Sequence, residues 1–196
     1  MAFAIPRIQY KNLDTTGDTL NTNATISNIP DTTLIEVGMF IRGAGIPTGA
    51  TVGSKTSSTV VLASGTASAT ASGVALAFGY EILFTYPPKE AKGEKLKSNA
   101  SVSTSLSGIR QTSVDNIEGT RNPIFSFLTQ ALKTKLDTFV QTSALFGEAF
   151  RYFEDQTSAS YVAYELDALD YDPKKIAPAG VDVYTWEIAL KFVRTL

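Results

Sequence analysis

The 196-residue chain contains no cysteine and no histidine. Without cysteine there is no disulfide framework and no thiolate metal site. Without histidine the chain lacks the commonest general base and the commonest metal ligand, so Ser-His-Asp and Cys-His catalytic arrangements are impossible. No glycine-rich phosphate-binding motif precedes a predicted helix. These absences argue against an enzyme, and we expect neither a cofactor nor a bound metal.

Net charge and long apolar runs are also lacking. The formal net charge is −2 and the pI is near 5.2, which gives no electrostatic reason to expect a nucleic-acid partner. No apolar run approaches the roughly 20 residues that cross a bilayer, and the N-terminus lacks the pattern of a signal peptide. The hydrophobic fraction of 43% is sufficient for a core. We therefore predict a soluble protein that is made in the cytoplasm and has no membrane partner.

The composition changes sharply between residues 14 and 79. This stretch is rich in Thr, Ser, Gly and Ala, and from residue 15 to 78 its only basic residues are Arg42 and Lys55. Short strands are predicted at 38–43, 51–54, 59–62 and 74–78, which together describe a small all-β module. The module is either a polar scaffold with a small core or a binding module whose hydroxyl groups contact a glycan or a protein.

Strands are also predicted on both sides of this module, at Ile8–Tyr10 and Ile82–Tyr86. We expect these two strands to be neighbours in one hairpin, with the module inserted into the turn between them. Such an insertion is tolerated because loop-closure entropy grows only slowly with loop length. The sequence therefore predicts a discontinuous base domain, 1–13 and 80–196, with a surface-displayed insert at 14–79.

The base domain is predicted to be organised around a strand-helix-strand segment. Asn122–Leu128 is a nearly continuous apolar run, typical of a strand buried on both faces. Thr129 is a suitable N-cap and Gly147 a suitable stop for the following helix. Phe150–Phe153 then restarts in extended form. The apolar stripe of the helix consists of Leu132, Leu136, Phe139 and Val140.

Strand patterns fill the rest of the second half. A polar strand is predicted at 108–117, a turn at 118–121 and a strand at Tyr161–Leu166. Apolar and polar residues then alternate from Tyr184 to Phe192, which predicts a single strand whose buried face receives the helix stripe. The fold class is therefore mainly β (α+β): a β-sandwich or split-barrel base domain with one helix packed on the sheet, plus a small inserted all-β domain.

Carboxylates are the remaining candidates for chemistry. One hypothesis is a Ca²⁺ site, since several carboxylates follow strand ends and calcium takes six to eight oxygen ligands. Another is a glycosidase pair. The alternative to both is a set of acidic strand ends that keep the surface soluble. The calcium candidates are Glu154, Asp155, Asp167, Asp170 and Asp172, and the glycosidase pair would be two of Glu154, Asp155, Glu165, Asp167 and Asp170.

The segment Lys89–Lys97 mixes both charges and is predicted to be a loop. It is either a solvated loop or part of an arm, residues 87–99, that reaches a neighbouring subunit. Basic residues on this segment and on the following strands are the candidates for subunit contact. They are Lys89, Lys92, Lys95, Lys97, Arg110 and Arg121.

Residues 31–52 contain a glycine-rich motif. The run is Val37-Gly-Met-Phe-Ile-Arg-Gly-Ala-Gly-Ile-Pro-Thr-Gly-Ala-Thr-Val52. It is similar to V-G-M-x-I-x-G-x-G-I-P-x-G-T-x-V, which recurs in tail fibres, tail proteins and decoration domains of bacteriophage virions. The resemblance of residues 31–52 to this module implies an accessory module displayed on a virion and does not imply a particular ligand.

Several short motifs follow one another in residues 100–196. They are Ser105–Thr112, Phe125–Leu128, Leu136–Phe139, Gly147–Asp155, Tyr164–Leu166 and Trp186–Leu190. Their order resembles that of small tail proteins of long-tailed phages, such as distal-tail and minor-tail proteins. This resemblance implies a β-sandwich or split barrel with one helix, assembled as a ring, usually hexameric, at the end of the tail tube. It implies no catalytic residues.

We therefore expect a structural virion protein that self-assembles into a ring at the tail tip or baseplate. Its partners would be copies of itself, the tail tube and the tail hub, and its insert would face outward. One alternative is another tail ring, of the tube or terminator type. A second alternative is a decoration module whose insert, 14–79, recognises a glycan of the host surface.

Overall fold

The computed structural model describes residues 4–89, 95–104, 110–142, 147–167, 171–176 and 185–195. The protein is mainly β, with one helix packed on antiparallel strands in a β-sandwich-like α+β fold, which confirms the predicted fold class. No described helix is long and apolar enough to cross a membrane. The helix α1 spans Gln130–Thr142. The strands are β1 (Arg7–Thr19), β2 (Thr25–Ile26), β3 (Phe40–Gly43), β4 (Val52–Lys55), β5 (Val60–Leu62), β6 (Ala71–Leu83), β7 (Lys95–Thr104), β8 (Arg110–Arg121), β9 (Ile124–Leu128), β10 (Phe150–Phe153), β11 (Val162–Leu166), β12 (Lys174–Ile176), β13 (Thr185–Ala189) and β14 (Phe192–Thr195).

The chain divides into two compact units. The base unit comprises Met1–Ile8 and Ile82–Leu196, and the insert unit comprises Gln9–Glu81. The sequence places these boundaries at 13/14 and 79/80 instead, because the amino-acid composition changes there. In the structure β1 and β6 are hydrogen-bonded neighbours, as expected, and each continues from one unit into the other. The separate strand predicted at Ile82–Tyr86 is therefore wrong, since Ile82 and Leu83 end β6.

The insert unit has its own hydrophobic core. Strand β3 pairs with β6, and β2, β5 and β4 form a three-stranded sheet. The strands predicted at 51–54 and 59–62 correspond to β4 and β5, which pair with each other, with Val52 opposite Leu62. The fully buried large side chains of this core include Ile26, Ile35, Met39, Ile41, Val60 and Phe78. The unit thus buries a contiguous apolar cluster despite its polar composition.

The base unit contains two groups of strands. One runs in the order β10-β11-β14-β8-β7, and the other in the order β12-β13-β9. Buried aromatic rings of the first group pack together in a cluster with a ring of the helix. The centroid of the Phe150 ring lies 4.9 Å from that of Phe192 and 5.1 Å from that of Phe139. Tyr152 and Tyr164 complete the cluster, and both are almost fully buried. Edge-to-face ring pairs of this kind add specific contacts to the area they bury.

Helix α1 begins as predicted. The Thr129 hydroxyl accepts a hydrogen bond from Leu132 N at 3.3 Å, which satisfies one free N–H group of the first turn. Leu136, Phe139 and Val140 are buried, and the helix packs on β9 and β13. The helix ends at Thr142, earlier than the predicted stop at Gly147, whose φ is +71°. Residues 143–146 lie outside the described part of the chain.

The single C-terminal strand that the sequence predicts is wrong. Instead, β13 pairs with β9 and β12, whereas β14 pairs with β11 and β8. The chain changes sheets at Leu190 and Lys191, between the two strands. Each of the two strands still buries an apolar residue of the alternating pattern, since Ile188 in β13 and Phe192 in β14 have no exposed surface. Alternation alone cannot reveal a change of sheet, because each half obeys the same period of two.

Three smaller expectations also fail. Residues 118–121 belong to β8 and do not form a turn, because they pair with β14. Lys95 and Lys97 lie in β7, where a loop is predicted. The run Asn122–Leu128 does contain a strand, β9, but this strand is not buried on both faces, since Phe127 is 49% exposed. The exposed Phe127 marks the surface described next.

Candidate functional site

The six candidate contact residues occupy different environments. Lys89 is exposed, and its Nζ lies 3.3 Å from Glu187 Oε2. Arg121 is mostly buried: its Nη1 lies 2.6 Å from Glu154 Oε1 and its guanidinium group lies over the Tyr152 ring. Arg121 therefore has a structural role within the base unit. Lys95, Lys97 and Arg110 lie on the hairpin of β7 and β8, and Lys92 lies outside the described residues.

The hairpin of β7 and β8 is paired over a longer stretch than the described contact of β8 with β14. Strand β14 pairs with β8 at Glu118–Arg121, with Thr195 opposite Glu118. Strand β7 pairs with β8 over its whole length, as far as Thr104 opposite Arg110. Residues 98–104 and 110–117, the part of this hairpin outside the described pairs with β14, are here called the ribbon. Strand β7 is also the last strand in the described sheet order.

The register of the ribbon places its apolar residues on one face. Val102 pairs with Thr112, Ala100 with Val114, and Ser98 with Ile117. Paired residues share a face, and alternate residues along a strand return to it. A register shift between Asn99 and Ala100 puts Val114 and Ile117 on the same face although they are three residues apart. The opposite face carries polar residues: Asn99, Ser101, Ser103, Gln111, Ser113 and Asn116.

A second surface surrounds a bulge in β9. Trp186 pairs with Leu128 and Ile188 pairs with Phe125, so Glu187 alone faces both Ser126 and Phe127. Phe127 has a φ of +59°, the left-handed conformation that glycine usually supplies at a bulge. This backbone angle directs a large apolar side chain outward. The surface formed by Tyr86, Lys89, Phe127 and Glu187 is here called the Phe127 patch.

Aromatic rings form the centre of the Phe127 patch. Tyr86 is 54% exposed and meets Phe127 edge to face, with 6.0 Å between ring centroids. Lys89 Nζ lies 5.7 Å from the centroid of the Phe127 ring. The backbone of Lys89 pairs with Ile124 at the start of β9. Pro87 and Pro88 follow Tyr86 directly, and proline has no N–H group to donate to a strand.

Glu187 supplies a fixed negative charge at the edge of the patch. Its Oε2 accepts a hydrogen bond of 2.6 Å from Ser126 Oγ, as well as the bond from Lys89. The Ser126 hydroxyl, and then Lys89, hold the pKa of Glu187 below its ordinary value. The patch therefore combines half-exposed rings with an ionised carboxylate and an ammonium group. This combination of aromatic centre and charged rim is typical of a protein-binding surface.

The acidic residues considered as a calcium or glycosidase site have local partners. Glu154 pairs with Arg121, and Asp167 Oδ2 lies 2.5 Å from Lys191 Nζ. Asp155 accepts hydrogen bonds from the backbone N–H and hydroxyl of Thr157, which lower its pKa. The described residues contain no group of three or more possible metal ligands, and Asp170 lies outside them. The geometry supports ion pairs and a turn at these positions.

The virion-like motif at 31–52 is accounted for by the folding of the insert unit. Met39, Ile41 and Val52 are buried core residues. A Cβ at Gly43 would lie 2.9 Å from the backbone oxygen of Ala75, so the close approach of β6 requires glycine there. Gly49 has a φ of +79° in the turn before β4. The motif therefore specifies a turn and part of the core.

Sequence reasoning misses the Phe127 patch. The apolar run Asn122–Leu128 indicates a buried strand, and nothing in it signals that Phe127 takes a positive φ. The one available hint is Pro87-Pro88, which ends the preceding strand pattern near Lys89. Comparisons with protein-family models, with curated proteins and with solved structures find no match for this chain.

Proposed function

We propose that this protein is a structural subunit of a bacteriophage tail that assembles with copies of itself into a closed ring, of six subunits, at the tail tip. The observation that carries the self-assembly is the ribbon. Its phage-tail setting rests on the motif resemblances at 31–52 and 100–196. In this proposal the protein resides in the virion, has no catalytic role, and contacts the tail tube and the tail hub.

The edge of the ribbon gives a physical reason for a partner. Strand β7 is the last strand in the described sheet order, and such an edge presents backbone N–H and C=O groups that can pair with another chain. A hairpin of two strands is also at best marginally stable in water unless its apolar face is covered. A neighbouring subunit would both pair with this edge and cover this face.

The resemblance to ring-forming tail proteins favours a second copy of this chain as that partner. The ribbon itself carries no net charge, since Arg110 balances Asp115, so charge does not decide between partners. Contacts between two different surfaces of identical subunits close into rings when the rotation per subunit allows it.

The test is the mass of the purified protein by light scattering over a concentration series, with two ribbon variants. Val102→Asp places a charge on the apolar face, and Ser103→Asp places the same charge one residue away on the opposite face. We expect a hexamer for the unaltered protein and for Ser103→Asp, and dissociation for Val102→Asp. Circular dichroism checks that each variant is folded. A monomer at every concentration would contradict self-assembly, and equal masses for the two variants would contradict the role of this face.

A further inference from the structure

We infer that Pro87 and Pro88 block the outer edge of β9 against pairing with another chain. In the described sheet order β12-β13-β9, strand β9 is an edge strand. Such a strand presents backbone N–H and C=O groups that can pair with a strand of another molecule. The segment Tyr86–Lys89 lies beside this edge, and its two prolines lack the N–H donors that pairing needs. The inference goes beyond the proposed ring, because it concerns an edge that the ring does not use.

One pair of backbone hydrogen bonds fixes the position of this segment. Lys89 N donates to Ile124 O at 2.8 Å, and Ile124 N donates to Lys89 O at 3.1 Å, in an antiparallel bridge. The contact between the Tyr86 and Phe127 rings, with centroids 6.0 Å apart, agrees with the same antiparallel register. Continued from the bridge, this register gives three further opposite positions: Pro88 with Phe125, Pro87 with Ser126, and Tyr86 with Phe127.

Pro87 interrupts the pairing on the side that faces β9. In an antiparallel pair of strands, positions that exchange both hydrogen bonds alternate with positions that exchange none. Lys89 and Ile124 exchange both bonds, so the next position to do so is residue 87 opposite Ser126. Proline has no N–H group and cannot donate to Ser126 O. Among the residues that the structure describes, the backbone hydrogen bonds between Tyr86–Lys89 and β9 are the two at Lys89.

Pro88 removes a donor from the side that faces away from β9. Backbone groups of successive strand residues point to opposite sides, so those of residue 88 point outward where those of residue 87 point toward β9. A further strand that approached this side would find no N–H group at position 88. The residue before each proline is also restricted to extended conformations, which keeps the segment alongside the strand.

The opposite edge of the same sheet is protected by charge. Strand β12 forms that edge in the described order, and its residues Lys174 and Lys175 are exposed. Charged side chains on an edge strand, lysine in particular, disfavour pairing with another chain. Both edges of this three-stranded sheet therefore oppose strand pairing, whereas the edge named in the proposed ring, β7, belongs to the other group of strands.

Hydrogen exchange tests the alternation between the two prolines. Pro87→Thr and Pro88→Thr each restore one N–H group, at adjacent positions that point to opposite sides. In dilute full-length protein, the amide of residue 87 in Pro87→Thr should exchange at least tenfold more slowly than the amide of residue 88 in Pro88→Thr. The reason is that only residue 87 can donate to Ser126 O. Exchange is measured residue by residue, and equal rates at the two positions would overturn the inference.

Light scattering over a concentration series tests the consequence for association. The mass of the double variant Pro87→Thr/Pro88→Thr should keep rising with concentration and reach at least twice that of the unaltered protein, because pairing at an open edge does not end in a closed assembly. The matched control, Pro30→Thr/Pro47→Thr, removes two prolines from the insert unit and should keep the mass of the unaltered protein. Circular dichroism checks that both double variants are folded.

The outcomes separate this inference from the proposed function. A folded Pro87→Thr/Pro88→Thr protein with the same mass as the unaltered protein overturns the block at β9, whether the unaltered protein is a hexamer or a monomer. Equal association of the insert-unit control also overturns it, since the loss of any two prolines would then be sufficient. A monomeric unaltered protein contradicts the ring alone, because the comparison between variants does not require a ring.

Discussion

Phe127 illustrates how a single backbone angle changes the role of an apolar residue. In a regular strand the side chain of Phe127 would lie on the face opposite to those of Ser126 and Leu128. The apolar run around it indicates that this face would also be buried. The bulge opposite Glu187 and the φ of +59° place it on the surface instead. The sequence does not reveal this, because a positive φ in a non-glycine residue depends on the tertiary structure that holds it.

The strain at Phe127 predicts an unusual order of stability among its variants. Phe127→Gly should be more stable than Phe127→Ala by about 1 kcal/mol, because glycine enters the left-handed region without the steric penalty that alanine retains. Both variants remove the same exposed ring, so the difference isolates the backbone. Urea unfolding monitored by circular dichroism measures it. If alanine proves the more stable replacement, position 127 is not strained.

Hydrogen bonds from Gln156 connect three segments of the base unit. Its Nε2 donates to the backbone oxygens of Pro6 at 3.1 Å and Phe84 at 2.6 Å, and its backbone N–H donates to Ile5 O. Gln156→Ala leaves two partly buried carbonyl groups without this donor, and we expect a loss of about 1–2 kcal/mol in the free energy of unfolding. Gln141→Ala, on the exposed side of α1, is the control and should change stability by less than about 0.5 kcal/mol. If both substitutions change the free energy of unfolding equally, the hydrogen bonds of the Gln156 side chain do not stabilise the base unit.

At the scale of elements, the sequence predicts the helix and strands that are determined by interactions between residues close in the chain. The N-cap at Thr129, the buried stripe of α1 and the strands β10 and β11 follow from capping and periodicity. The change of sheet at Leu190 and Lys191 does not, because both sheets accept the same alternation. The sequence does not predict the ribbon either, because its apolar residues share a face only through the register shift at Asn99 and Ala100.

Two tyrosines make the folding stability of the insert unit depend on pH in the alkaline range. Tyr10 and Tyr80 stack at 5.4 Å, and burial, followed by the effect of Glu36, raises the pKa of each to about 12. Because the folded state favours the neutral phenols, their contribution to stability is complete below about pH 10 and is lost as the pH rises toward about 12. Stability should therefore fall across this window.

Removing one phenol tests this coupling. Tyr80→Phe should lose less stability between about pH 9 and about pH 11 than the unaltered protein, because one group with a raised pKa is gone. The measurement is urea unfolding at the two pH values. Tyr161→Phe, in the base unit, is the control and should keep the full pH dependence. If Tyr80→Phe loses as much stability between the two pH values as the unaltered protein, Tyr80 does not contribute to the pH dependence.

At the scale of the whole molecule, the division into units explains why the composition changes so sharply. The insert unit closes its own core, and its two ends are adjacent, since Gln9 Nε2 lies 2.8 Å from Glu81 Oε1. The ribbon belongs to the base unit. If assembly depends on the ribbon, the insert unit is not needed for it.

Deleting the insert unit tests this separation of roles. Residues 9–81 are replaced by a short glycine-rich linker, which can join the adjacent ends at Ile8 and Ile82. We expect the shortened chain to fold and to form a ring with the same number of subunits, as measured by light scattering, because the ribbon remains. A shortened chain that folds but stays monomeric would show that the insert unit contributes to the ring. Binding of host glycans by the complete protein but not by the shortened ring would instead favour the decoration role for the insert.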